Sequence, residues 1–286
     1  MTARVLAVYA HPDDESFMGG GTLAESAARG FQVTLVCATR GEVGEISDPS
    51  LATRDTLPKV REAELRASSV ALGIREPRFL GYRDSGMDGT PENDDPRCLY
   101  QASSDEVTYR LVALMRELKP HVVITFEPNG VYGHPDHIAI SRYTTAAYDA
   151  CSDPDVFADA GPAWQPQCLF YSALPRSFFA KVRNLLKRAG IDTSEFDSNL
   201  NVEQWPFDDD QITHSVDVTP HIDAKWRSLK AHRTQFGTEN FITRMPRKIL
   251  HEIMQHEFFM QARPALTLPK DAPRLTNLFE GLRVAT

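Results

Sequence analysis

No hydrophobic run in the 286-residue sequence approaches the ~20 residues that a membrane-spanning helix needs. The first apolar run, Val5 to Ala10, is also too short for a signal peptide. Acids follow it directly, and no small-residue cleavage site is present. Cysteine is scarce: Cys37, Cys98, Cys151 and Cys168 stand apart, with no C-x-x-C spacing to suggest a zinc knuckle or a redox pair. A chain of this length needs no disulfide framework, so the thiols are expected to be reduced and the chain cytoplasmic. Positive charge is in deficit as well. A net charge of −8 and a pI near 5.6 argue against duplex nucleic acid or an anionic membrane as the partner. Internal repeats and low-complexity segments are missing.

What is present is an alternation of apolar strands with amphipathic helices through residue 150, which calls for an α/β fold with a mostly parallel sheet. Val5–Ala10 reads as a strand buried on both faces, stopped by Pro12. A helix is expected from Glu15 to Arg29, closed by Gly30, with Phe17, Leu23 and Ala27 or Ala28 turned inward. Gly19-Gly20-Gly21 near its start suits close packing of backbone. Its formal match to a dinucleotide fingerprint, Gly19-x-Gly21-x-x-Ala24, begins too far from the strand to count. Further strands are expected at 31–38, 79–82, 122–126, 168–173 and 212–218. Helices are expected at 58–72, 105–118, 135–150, 176–188, 221–235 and 246–261. Residues 88–101 read as a long loop, in the position of a lid, and 152–166 as an exposed connection. Residues 190–211 read as irregular, and the final 23 residues as a surface tail. The whole, 1–286, is expected to be one domain, with a core over 1–175 and C-terminal elaborations over 176–286.

Two stretches carry the chemistry. The first strand ends in His11-Pro12-Asp13-Asp14-Glu15, and the strand at 122–126 leads into Tyr132-Gly133-His134-Pro135-Asp136-His137. Open α/β sheets place ligands at the carboxyl ends of their strands, so the two stretches can meet at one point. A catalytic zinc takes three protein ligands and leaves a position open. His11, Asp14 and His137 supply such a set, with Asp13 diverging from Asp14 to act as general base. His134, one helical turn before His137, stands where it could stabilise an oxyanion or protonate a leaving amine. Asp136 could hold His134 in one tautomer, and Tyr132 could swing toward a tetrahedral intermediate. Arg61, in the first turn of a crossover helix, can reach the same edge of the sheet. Arg40 divides evenly between substrate and an ion pair with Glu42 or Glu45. Asp84 could meet a sugar hydroxyl or cap a turn. Two histidines and a carboxylate also suit iron(II); the strand-to-helix setting differs from that of iron oxygenases, but iron(II) as the metal of a hydrolase stays open. Of the other histidines, His121 reads as surface or packing, and His214 shows no partner. His232 fits a structural network with Gln235, and Phe258 and Phe259 fit the core or a contact surface.

Ala10-His11-Pro12-Asp13-Asp14-Glu15 and His134-Pro135-Asp136-His137, in this order and each set between a buried strand and a helix, resemble the zinc-dependent N-deacetylases of the N-acetylglucosaminyl-phosphatidylinositol de-N-acetylase (LmbE-like) family. The resemblance covers about residues 4 to 150, with weaker echoes at Leu229 to Gln235. It implies a Rossmann-like, mostly parallel sheet with helices on both faces. It also implies one zinc ion per chain and hydrolysis of an N-acetyl group on a small amino-sugar substrate. By the same resemblance His11, Asp14 and His137 are the ligands, Asp13 the base, His134 the electrostatic or acid partner, Asp136 its orienter and Tyr132 a mobile helper. Pro128-Asn129-Gly130 and Tyr82-Arg83-Asp84-Ser85-Gly86-Met87 look most like the members that act on N-acetylglucosaminyl-inositol. That would make Arg61, Asp84 and, more weakly, Glu45 sugar- or inositol-binding residues. The rival readings are an amidase for a thiol-glycoside conjugate or other small amide, and a non-catalytic sugar-binding relative. A homo-oligomer is compatible with either.

Overall fold

The computed structural model describes residues 2–194, 207–237 and 240–284. Its centre is β1 (Arg4–Tyr9), whose side chains are buried from Val5 onward. The chain then forms α1 (Asp14–Met18), α2 (Gly20–Ala28), β2 (Gln32–Cys37), α3 (Leu57–Leu72) and β3 (Arg78–Phe79). Next come α4 (Ser104–Leu118), β4 (Val122–Phe126), a helical turn α5 (Gly130–Gly133), α6 (Pro135–Ala150), β5 (Cys168–Ser172) and α7 (Arg176–Arg188). The last described elements are β6 (His214–Asp217), α8 (Ile222–Ala231), α9 (Phe241–Arg244), α10 (Arg247–Met254) and β7 (His256–Arg263). The seven strands form one sheet in the order β3-β2-β1-β4-β5-β7-β6. β1 pairs in parallel with β2 and with β4, opposite Val33 and Val122 at Val5. β7 runs antiparallel to both β5 and β6.

This order places the functional edge. The chain winds from β1 outward through β2 to β3, then returns to β4 on the other side of β1. Right-handed crossovers therefore put α2 and α3 on one face and α4 and α6 on the other. The carboxyl ends of β1 and β4 diverge at that reversal and leave a crevice between them. Tyr9 and Phe126 close its floor, edge to face with centroids 5.0 Å apart.

Several local expectations are corrected. The helix expected over 15–29 is two helices, broken at Gly19. There the chain turns so that Gly21 lies against Val218, where an added Cβ would come within 2.4 Å of the valine. Of the alanines, Ala24 is the buried one; Ala27 is half-buried and Ala28 exposed. Glu257 of β7 accepts the backbone N–H groups of Gly21 and Thr22 at 2.8 Å each, serving donors of α2's first turn that have no partner within the helix, and pairs with the buried Lys225 at 2.6 Å. The strand expected over 79–82 is shortened to Arg78–Phe79, and the helix expected over 221–235 ends at Ala231.

The helix expected over 246–261 stops at Met254, and β7 follows. Glu257, Phe259 and Ala262 of β7 are buried, and the hydrogen bonds offered by β5 and β6 outweigh helical propensity there. The connection over 152–166 is mostly exposed, as expected. Its carbonyls are nonetheless gathered by the buried Arg116, whose guanidinium donates to Cys151, Asp153, Val156, Phe157 and Gly161. Of the irregular stretch over 190–211, residues 195–206 lie outside the described residues. In the C-terminal segment Leu278 and Phe279 are buried against the core. No helix among the described residues is long and apolar enough to cross a membrane. All four cysteines are free.

Candidate metal centre

His11 follows β1, Asp14 opens α1 and His137 lies in the first turn of α6. The fold brings all three together. His11 Nδ1 is 3.2 Å from His137 Nε2. One Asp14 oxygen is 3.3 Å from His137 Nε2, and the other is 3.7 Å from His11 Nδ1. Ligands at the ~2.0–2.2 Å of zinc–nitrogen and zinc–oxygen bonds sit roughly 3.4 Å apart in a tetrahedron, so the spacing fits one ion. The outer contacts fix which nitrogens face inward. His11 Nε2 meets the Asp136 carboxylate at 3.1 Å, and His137 Nδ1 meets the Gly130 carbonyl at 3.2 Å. Both partners accept, so in the neutral rings these outer nitrogens carry the protons. The inner nitrogens, 3.2 Å apart, are then the pair turned toward each other, where a metal ion or a shared proton can sit. Burial works against a charged His11, but Asp84, Asp136 and Asp14 outweigh it and hold its pKa well above the usual value. Burial likewise opposes a charged Asp14, yet His137 and His11 pull its carboxyl down to about 2. The donor set therefore fits a divalent metal.

Asp13 takes φ 125°, a left-handed conformation rare for anything but glycine. Its backbone N–H donates to Glu15 Oε2 at 3.0 Å, and its carboxylate accepts from Arg61 Nη2 at 2.9 Å. Arg61 is 3% exposed and also donates to the carbonyls of Gly41 and Pro12. It therefore faces Asp13 and not open solvent. Burial pushes the Asp13 carboxyl up to about 6, with Arg61 opposing. Behind Asp13, Glu15 Oε1 accepts from Ser16, Ser68 and His232, all buried, and Ser228 bridges the two serines.

His134 caps α6, its Nδ1 accepting the Asp136 N–H at 3.1 Å. Its neutral form therefore carries the proton on Nε2. Burial, with His11 and His137 alongside, pushes its pKa down to about 2. The Asp136 carboxylate goes elsewhere than expected. It lies near the His134 ring but is hydrogen-bonded to His11 Nε2 and to the N–H and hydroxyl of Ser85. Asp84 is 4% exposed and accepts the N–H groups of Gly86 at 2.9 Å and Val43 at 3.2 Å, with one oxygen 3.6 Å from His11 Nε2. The loop over 88–101 is bound to this wall. Asn93 donates to the carbonyls of Ser85 and Met87, and Tyr100 N–H donates to the Ser85 hydroxyl.

Tyr132 is 51% exposed at the rim, its ring edge-on to His137 at 5.0 Å. Arg40 pairs with Glu62 at 2.6 Å, not with the side chain of Glu45; Glu42 accepts only its backbone N–H. Glu45 is exposed, and its carbonyl accepts from Gln235. Ser68, Ser228 and Lys225 gave no signal in the sequence, because single serines and lysines have no diagnostic spacing; Ser85 stood only as one letter of the 82–87 motif, with no role attached to it. His232 joins a network, as expected; its Nε2 pairs with Glu15, and Gln235 meets it only through the backbone, its N–H donating to the His232 carbonyl.

The sequence profile of the family described as PIG-L, the GlcNAc-PI de-N-acetylases, matches residues 6–148. The 1D-myo-inositol 2-acetamido-2-deoxy-alpha-D-glucopyranoside deacetylase 1 of Catenulispora acidiphila is 39% identical over 293 residues, which span 99% of this chain and 90% of that protein. The chain belongs to the PIG-L de-N-acetylase family. Among solved structures, the N,N'-diacetylchitobiose deacetylase of Pyrococcus horikoshii superimposes with a TM-score of 0.62 at 21% identity, covering 94% of this chain and 88% of that one. A 4-carboxy-2-hydroxymuconate hydratase from Pseudomonas putida superimposes nearly as well, at a TM-score of 0.61 and 16% identity, covering 94% and 99%. The fold thus carries more than one reaction. It is the PIG-L membership and the site, not the fold, that bear on chemistry.

Proposed function

We propose that this PIG-L chain is a zinc-dependent N-deacetylase, with N-acetylglucosaminyl-inositol as its substrate. The observation that carries the reading is the convergence of two inward-facing imidazole nitrogens and the Asp14 carboxylate on one point, with the raised carboxyl of Asp13 beside it. The substrate class rests on the name of the 39%-identical relative. We assign His11, Asp14 and His137 as the ligands, Asp136 and Gly130 as the groups that set their tautomers, and zinc as the ion, one per chain. Iron(II) would be held by the same atoms. A bound ion supplies Lewis acidity at the acetamide carbonyl.

The chain's own groups then do the rest. Asp13, poised near neutrality, takes a proton from the attacking water. His134 donates from Nε2 to the oxygen that gains charge; its Nδ1 is already committed to the Asp136 N–H, so the neutral ring is a donor and not an acid. As the C–N bond breaks, Asp13 returns the proton to the amine nitrogen, leaving acetate and a free amino sugar. Arg61 holds Asp13, and Asp84 shapes the wall behind His11. Glu45, exposed beside Gly44, which abuts Arg61, and Tyr132 at the rim are the groups left for sugar and inositol hydroxyls. The four free cysteines suit a cytoplasmic setting.

The test is release of primary amine from N-acetylglucosaminyl-inositol and from a panel of N-acetyl amino sugars. Turnover abolished by chelator and restored by zinc is the expected result. Turnover of none of them by the zinc-loaded protein would reject the reading.

A further inference from the structure

We propose that Glu127 is a positioning residue for His137, a role that rests on His137 being a metal ligand. Glu127 is the first residue after β4, and only 1% of it is exposed. Among the described residues its carboxylate forms no ion pair, though it lies close enough to His137 to feel its charge. Its two carboxylate oxygens instead accept two backbone N–H groups of the following turn, Asn129 on one oxygen and Val131 on the other, at 2.5 Å each. Its own carbonyl accepts the N–H of Gly130 at 3.0 Å.

The turn so held is one the chain would otherwise leave. Val131 sits at φ 65°, ψ −67°, an outlier for a β-branched residue. Gly130, at φ 67°, packs so closely on α6 that an added Cβ would come within 2.8 Å of the His137 Cβ and 2.9 Å of the Ile138 nitrogen. The consequence falls on one atom. Gly130 turns its carbonyl onto His137 Nδ1, while Phe126 stacks on the flat of the ring with centroids 4.0 Å apart. Phe126 fixes the plane of the imidazole, and Gly130 fixes its tautomer, so Nε2 is left bare toward His11 and Asp14. Glu127 is what keeps Gly130 there. An acceptor-only group with two oxygens is required, because both targets are donors. A glutamine in its place would turn an N–H₂ toward one of them.

The experiment uses ¹⁵N-histidine-labelled full-length protein, metal-free, in wild-type form and as Glu127→Gln and Glu127→Asp. Long-range ¹H–¹⁵N spectra read the His137 tautomer, and competition with a chromophoric chelator reads the zinc dissociation constant. Arg116→Met, which loosens the loop over 151–161 away from the site, is the control for destabilisation alone. Wild type should show His137 protonated on Nδ1. Both Glu127 variants should show mixed tautomers and bind zinc about 10-fold more weakly. Arg116→Met should keep the wild-type tautomer and zinc affinity. Glu127 variants that fold and keep the wild-type tautomer overturn the proposal. So does failure of both to fold, which would assign Glu127 to the fold as a whole. If wild type binds no zinc, the ligand assignment fails, and the tautomer measurement still decides what Glu127 does.

Discussion

His232 donates from Nε2 to Glu15 Oε1 across 2.7 Å, joining residues 217 positions apart, both almost completely buried. Glu15 then holds the Asp13 N–H with its other oxygen. The C-terminal part of the chain thus reaches Asp13 through one carboxylate. Removing the imidazole would leave a buried charge without its partner. His232→Leu should cost about 3 kcal/mol of stability and lower kcat more than it raises KM. Urea denaturation and steady-state kinetics check this. Unchanged stability would mean that Glu15 is satisfied by its serines alone.

Asp13 is predicted to be dispensable for metal and indispensable for turnover. Asp13→Asn should retain zinc at the wild-type stoichiometry and lose at least ~10²-fold in kcat. Metal analysis beside a rate measurement decides it. Normal turnover in that variant would remove Asp13 from the proton path.

His134 is predicted to act as a neutral donor. His134→Ala should lower kcat by about 10²–10³. The acidic limb of the pH–rate profile, set by a carboxyl near 6, should stay in place. A variant whose basic limb disappears would instead mark His134 as the proton donor to the amine.

Acid sensitivity should come partly from His214, far from the site. It is 2% exposed on β6, bonded to Thr213 and edge-on to Phe170, and burial holds it down to about 4. A histidine depressed on folding binds its proton in the unfolded chain first. Stability is therefore level above pH ~6.5 and falls as pH drops from there toward 4, by about 2–3 kcal/mol. His214→Gln should flatten that slope, as read from urea midpoints at pH 7 and pH 4.5. An unchanged slope would assign the acid loss to other groups.

The strand ends and their motifs are legible in the sequence because burial on both faces writes continuous apolar runs, and Pro12 and Pro135 mark where they stop and a helix starts. His11, Asp14 and His137 follow from the strand order that such runs imply. β7 is not legible. Its Phe258-Phe259-Met260 run fits a helix as well as a strand, and the choice is made by edges of β5 and β6 that lie far away in the chain. The partner of Asp136 is hidden for a similar reason. Only Pro135 separates it from His134, yet the sheet brings His11 to its carboxylate. Arg61 was legible as reaching the site, but not as facing Asp13, since that needs the left-handed turn at Asp13 itself.

One ion is predicted to sit between His11 Nδ1, Asp14 and His137 Nε2. Anomalous diffraction at the zinc edge, from crystals grown with equimolar zinc, tests it most directly. A single peak about 2.0–2.2 Å from those three groups is the predicted result. A zinc ion bound elsewhere, or no peak between the two imidazoles, would contradict it.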